Sequence, residues 1–172
     1  MADTFAENVQ LARRGDAAAF ARLYADIYED LYHVARFSLR NPQDAADAVS
    51  EAVLDAFDSI GRLRNPAAFR CWIFRILAAK IKRMQQTYYT GDVELQEDTD
   101  GILSDYSYCS HELRSAIRTL APENRLLLSL SILGGYSSRE LAKMLGGTAN
   151  TIRSRLMRIK QQLREELTER SA

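Results

Sequence analysis

Hydrophobic positions along this chain recur at helical spacing almost throughout. Phe5, Val9 and Ala12 share one face of a helix predicted over Asp3–Arg14, which Gly15 ends. Asp16 is placed to cap a longer helix over Ala17–Leu39, with Phe20, Leu23, Tyr24, Ile27, Leu31, Val34 and Ala35 in its stripe. Tyr28, Tyr32 and Phe37 run alongside, and an aromatic row at this spacing predicts core packing with polar tips left wet. Asn41-Pro42 breaks the chain, because proline disfavours helical backbone in the residue before it. A third helix follows over Gln43–Ile60, with an inner face of Val49, Val53, Ala56, Phe57 and Ile60. Asn65-Pro66 opens a loop before a fourth helix, in which Ile73, Ile76 and Leu77 are core positions. From Met84 to Ser110 the period fades, and Gly91 and Gly101 punctuate a stretch predicted to be non-helical.

Helical periodicity returns at His111. Leu113, Ile117 and Leu120 form one helix, closed by Ala121-Pro122, and Glu123–Leu133 is a dense apolar helix that ends at Gly134-Gly135. Ser137 and Glu140 then make a capping-box pattern ahead of Leu141, Met144 and Leu145. Gly146 and Gly147 stop that helix, Thr148 can cap the next, and Ile152, Leu156, Ile159 and Leu163 form a buried stripe through at least Leu163. The fold class is therefore all-α. Two small helical domains, residues 1–85 and 111–172, are joined by a linker over 86–110, and the second ends in a helix-turn-helix.

Charge changes this picture, because it is segregated by element. The third helix carries Asp44, Asp47, Glu51, Asp55 and Asp58 and no Lys or Arg, which predicts a protein-contact surface. From Gly61 to Arg83 the sign inverts: seven basic residues, no acidic one, and Phe69, Trp72 and Phe74 interleaved. Cations among aromatics suit single-stranded nucleic acid, where phosphates meet charge and unstacked bases meet flat rings. The linker has six acidic residues and no Lys or Arg. From Thr148 to Arg164 there are five basic residues and no acidic one. Asn150, Ser154, Met157, Arg158 and Gln161 project away from the buried stripe there, with Arg153 and Arg155 flanking it. A short helix, a tight turn and a second helix with a cationic outer face match the geometry that enters the DNA major groove.

The full length of 172 residues and an apolar content of 47% support a packed core, and a net charge of zero conceals the local segregation. Cys71 and Cys109 form no CxxC pair, and with only His33 and His111 no zinc-ligand spacing exists, so neither a metal nor a cofactor is expected. Free thiols in a reducing compartment, no apolar run of membrane-spanning length and no signal-peptide pattern predict a cytoplasmic protein. The acidic helix comes with no nucleophile, histidine or phosphate-binding loop, which argues against an enzyme.

Three stretches in this order resemble bacterial RNA polymerase sigma factors of the extracytoplasmic-function (ECF) type, which have only sigma domains 2 and 4. They are DAADAVSEAVLDAF (Asp44–Phe57), FRCWIFRI (Phe69–Ile76) and SSRELAKMLGGTANTIRSRLMRIKQQL from Ser137. The resemblance implies core RNA polymerase and promoter DNA as partners, and an anti-sigma factor that holds the protein inactive. It implies that Asp44, Asp47 and Glu51 dock on the β′ coiled coil, while the second domain meets the β flap. It implies that Arg62, Arg64 and Asn65 belong to the loop that captures a flipped −10 base. Arg70, Trp72, Arg75 and Lys80 would handle the −10 strand, and Thr151, Arg153, Ser154, Arg155, Met157 and Arg158 would read the −35 element. The acidic linker would thread the polymerase's RNA path.

Three positions depart from the family pattern. Ser50 replaces a glutamine on the clamp helix, Ala79 replaces a frequent asparagine, and Gly147 stands where an apolar residue is usual in the turn. The competing reading is a helix-turn-helix regulator that binds operators without polymerase, using residues 1–85 as a sensor or dimerisation domain.

Overall fold

The computed structural model describes residues 2–39, 41–90 and 111–172. Among the described residues eight helices follow in order: α1 (Ala2–Arg13), α2 (Ala17–Ser38), α3 (Pro42–Ser59), α4 (Phe69–Thr90), α5 (His111–Thr119), α6 (Pro122–Ile132), α7 (Ser138–Leu145) and α8 (Ala149–Ser171). Two short 3-10 turns, Ile60–Arg62 and Pro66–Ala68, connect α3 to α4. Among the described residues there is no strand, and no helix is long and apolar enough to cross a membrane.

Local chemistry accounts for the boundaries. The Asp16 carboxylate accepts the Ala19 N–H at 3.0 Å, and the Asn41 amide oxygen accepts the Gln43 N–H at 2.8 Å. Each satisfies a backbone donor that the first helical turn leaves without an internal partner. Asn41-Pro42 thus starts α3 as well as ending α2, since Pro42 occupies the first helical position, where no N–H is needed. The fourth helix runs on to Thr90, so residues 84–90, predicted to begin the non-helical linker, are helical. Its polar face there has no regular apolar stripe to announce it. Residues 91–110, with all six linker acids, lie outside the described residues.

In the first half, α3 packs between α2 and α4. Its buried face is mostly alanine: Ala45, Ala48, Ala52 and Ala56, with Val49. Small side chains let three helix backbones approach closely. This displaces one residue predicted to be inner. Val53 is half-buried against the core, but Phe57 lies 45% exposed in the seam with α2, edge-on to Phe20 at 5.2 Å. Of the aromatic row on α2, Tyr24, Tyr32 and Phe37 are half-buried against the core as expected, while Tyr28 is exposed, edge-on to Tyr24 at 5.4 Å and stacked on Tyr32 at 6.0 Å.

In the second half, Ile152, Leu156 and Ile159 of α8 are buried as predicted, together with Leu141 and Met144 of α7. The helix continues past Leu163 to Ser171, and its tail packs on α5. There Thr119 donates its hydroxyl to Glu166 at 2.8 Å, which with Gln162 holds that carboxyl below the usual range. The two halves are packed together. Helix α6 lies on α2, α4 touches both α6 and α7, and buried side chains from Val9 to Ile159 form one continuous cluster.

The alanine row gives a direct test. Ala52 is fully buried on α3. Ala52→Leu inserts three extra carbons where no space exists, so the urea unfolding midpoint, followed by circular dichroism, should fall by the equivalent of about 1–3 kcal/mol.

Candidate DNA-binding and protein-docking faces

The helix-turn-helix is built by two caps and two glycines. Ser137 and Glu140 close the capping box reciprocally: the Ser137 hydroxyl accepts the Glu140 N–H at 3.3 Å, and the Glu140 carboxylate accepts the Ser137 N–H at 2.8 Å. Gly146 and Gly147 both have positive φ, 88° and 90°. That backbone favours glycine, so the apolar residue usual at position 147 would be strained here. Thr148 then accepts the Thr151 N–H at 3.2 Å and starts α8.

On α8 the side chains of Thr151, Arg153, Ser154, Met157 and Arg158 are all exposed on one cationic face. Met157, at 69% exposed, sits among them with no apolar cover. Arg153 is steadied by donating to the Asn150 amide oxygen at 2.8 Å. Arg155 differs from the rest of the set. Its guanidinium turns inward and donates to the Asn124 amide oxygen on α6 at 3.0 Å, fixing the angle at which α8 is held. Five of the six residues expected to read DNA therefore share a free face, and the sixth braces it.

The residues expected to handle the −10 strand divide likewise. Arg62, Arg64 and Asn65 are exposed on the connection between the two 3-10 turns. The Asn65 amide oxygen accepts the Ala67 N–H at 3.1 Å, so this exposed side chain shapes the loop. Helix α1 supports this loop, and Phe5 meets Phe69 edge-on at 5.9 Å. Arg75 is exposed and Trp72 half-buried. Arg70 pairs with Asp30 of α2 at 2.5 Å and lies over the Phe74 ring. Lys80 is turned toward α3, 2.5 Å from Asp55, with a side chain only 16% exposed. Arg70 and Lys80 thus tie α4 to its neighbours, while Arg62, Arg64 and Arg75 carry free charge. Ala79 is exposed on α4 and offers a methyl where an amide would reach solvent.

On α3 the three expected docking carboxylates do not act as one set. Asp47 faces solvent. Glu51 is half-buried and bound to Arg83 and Lys80 of α4. Asp44 is half-buried, and burial, then the nearby Asp47 charge, pushes its carboxyl above the usual range. The periodicity reading missed the apolar part of this face. Leu54 is 64% exposed beside Ser50 and Asp58, and the 45% exposed Phe57 lies about one turn further along the same helix. Leu54 was legible: at 100° per residue it falls opposite the alanine row, where a solvated helix would carry a polar residue. A second omission is Tyr136, 9% exposed in the turn before α7.

Comparisons with known proteins place these faces in context. Residues 23–87 match the family model for Sigma-70 region 2, and residues 110–163 match that for Sigma-70, region 4. The chain is 28% identical over 146 residues to the RNA polymerase sigma factor SigV of Bacillus subtilis, covering 83% of this chain and 87% of that protein. It is 26% identical to the ECF RNA polymerase sigma factor SigW of the same organism, covering 94% and 95%. Among solved structures it is similar to CnrH in complex with the cytosolic domain of CnrY. The TM-score there is 0.71 at 21% identity, covering 96% of this chain and 98% of that one.

The inward turn of Arg155 separates it from its neighbours. Arg155→Ala should lower the thermal unfolding midpoint by the equivalent of about 0.5–1.5 kcal/mol, the worth of one hydrogen bond. Arg158→Ala, on the free face, should leave that midpoint unchanged.

Proposed function

Because the chain belongs to the sigma-70 family, with the region 2 and region 4 content of its ECF type, we propose that it binds core RNA polymerase and directs it to promoters. It carries no chemistry of its own. In this reading the residue 1–85 domain docks on polymerase and opens the −10 region, and the residue 111–172 domain reads the −35 element. Catalysis belongs to the polymerase, and the protein acts where polymerase is, in the cytoplasm. The observation that carries the reading is the pairing, in one chain and in this order, of a region 2 match with a region 4 match whose α8 face is free. A free-standing operator binder needs the second but has no use for the first.

The docking face on α3 is assigned here to Asp47 with Leu54 and Phe57, a mixed apolar and acidic patch suited to a helical partner bearing Arg or Lys. Glu51 and Asp44 shape it from beneath. The strand-opening face is Arg62, Arg64 and Asn65 with Arg75 and the edge of Trp72. Arg153, Ser154, Met157 and Arg158, with Thr151 at the start of the helix, are the −35 contacts. An anti-sigma factor would work by covering the α3 patch, since core polymerase and inhibitor would then compete for the same apolar side chains. Solved relatives include a sigma factor RpoE from Bartonella quintana crystallised with its anti-sigma factor NepR.

Purified core polymerase provides the test. With this protein added, it should start transcription at defined promoters, and core enzyme that gains no promoter specificity would reject the reading. Asp47→Arg combined with Leu54→Arg should weaken binding to core at least about tenfold, or 1.4 kcal/mol, with helicity by circular dichroism unchanged. Arg158→Ala should cost about 1–3 kcal/mol on the cognate −35 element if the guanidinium grips a base edge. An equal loss on every duplex would assign it to phosphate instead.

A further inference from the structure

The cationic face of α8 has a sharp end and an apolar centre. From Thr148 to Arg164 there are five basic residues and no acidic one, and Glu165 and Glu166 then close the face. Met157 stands midway between Asn150 and Arg164. Its neighbours one turn away, Arg153, Ser154, Lys160 and Gln161, are all exposed and none is apolar. The other exposed large apolar side chains among the described residues, Tyr28, Leu54, Phe57 and Ile132, belong to α2, α3 and α6. Met157, 69% exposed, is therefore a single apolar group inside a polar, cationic surface and extends no apolar patch.

At about 100° per residue, Asn150, Ser154 and Gln161 form the ridge of this face, with Met157 about 60° to one side of Ser154 and Arg158 about 40° to the other. The two ridge amides are engaged on their own helix. Asn150 accepts from the Arg153 guanidinium at 2.8 Å, and Gln161 donates to the Glu165 carboxylate at 3.0 Å. Ser154, Met157 and Arg158 are then the side chains placed to meet the floor of a groove. Arg153, Lys160 and Arg164 stand on the flank, where phosphates would pass.

Few ligands suit such a face. A protein partner would need apolar area around Met157, and the adjacent positions carry charge or amides instead. A DNA duplex matches it. Its rims are anionic, and the floor of its major groove exposes one kind of apolar group, the 5-methyl of thymine. A thioether chain is flexible and polarizable, so it closes on a methyl without a preset geometry. Against cytosine it would instead cover an amino donor that it pairs poorly, and against a purine it would cover acceptors that it cannot pair.

We propose that Met157 determines specificity for a thymine in the −35 element, closing on its 5-methyl while the flanking cations hold phosphates. The inference rests on the sigma-factor reading given above and adds a base identity to it. Ser154 and Arg158 do not share this role, since a hydroxyl serves several bases and a guanidinium favours guanine.

The full chain with core polymerase tests this on a duplex promoter library randomised across the −35 region. Templates retained by the wild-type holoenzyme should share a thymine at one position, and Met157→Ala should relax that position alone. Replacing that thymine with deoxyuridine removes only the methyl. The change should weaken binding of the wild-type holoenzyme about fourfold, the worth of one buried methyl group, and leave binding of the Met157→Ala holoenzyme unaffected. Met157→Leu, which keeps an apolar side chain, should retain most of that discrimination, and Ser154→Ala all of it. A selected site with no thymine requirement, or a deoxyuridine penalty that persists in Met157→Ala, would overturn the assignment. A wild-type holoenzyme that selects no sequence and starts no promoter-specific transcript would instead reject the sigma-factor reading.

Discussion

Helix α4 has to bury apolar side chains on more than one side, and the rest of the architecture follows from how that is done. Ile73, Leu77 and Ile81 are fully buried along it, as are Phe69 and Phe74. Helices α2 and α3 cover it from the first half, and α6 and α7 from the second. Burying one such side chain stabilises by about 1.5–3 kcal/mol, so a row of five outweighs any surface ion pair nearby. The polar ties, Arg70 to Asp30 and Lys80 to Asp55, set the rotation of α4 about its axis. They matter more for geometry than for stability, because half-exposed pairs contribute little. With that rotation set, Arg75 points outward and Arg70 and Lys80 do not.

The two faces proposed to bind nucleic acid are made by different means. On α8 the cations project from a regular helix whose opposite stripe is locked into the core, so periodicity alone orients them. In the first half, the free arginines stand on a short connection shaped by Asn65 and supported by α1, where periodicity has nothing to say. The docking patch proposed on α3 is different again. It is apolar at the centre and acidic at the edge, the usual arrangement for a surface that must exclude water to bind. The carboxylates closest to α4 are spent on internal pairs.

Much of the fold was legible in the sequence. All eight helices, three of the N-terminal caps and the glycine turn before α8 follow from spacing and cap chemistry, each local to a few residues. The exposed cationic face of α8 was legible for the same reason, Arg155 excepted, because its partner Asn124 lies 31 positions away. The inner face of α3 was misjudged at Phe57, since a phenylalanine outranks alanines on hydrophobicity. Close approach between backbones favours the alanines. The helical end of α4 was missed because a helix without a regular apolar stripe resembles a loop in sequence.

What the sequence by itself determined is therefore everything that depends on neighbours three or four residues apart: helix identity, cap positions, the cationic outer face of α8 and the family to which its motifs point. The tertiary structure alone decided which charges are free and which are internally paired. It also decided that the two halves pack on each other. Those outcomes turn on contacts between residues tens of positions apart. No periodicity records them, because each residue's spacing reports its own helix and not the surface that helix will meet.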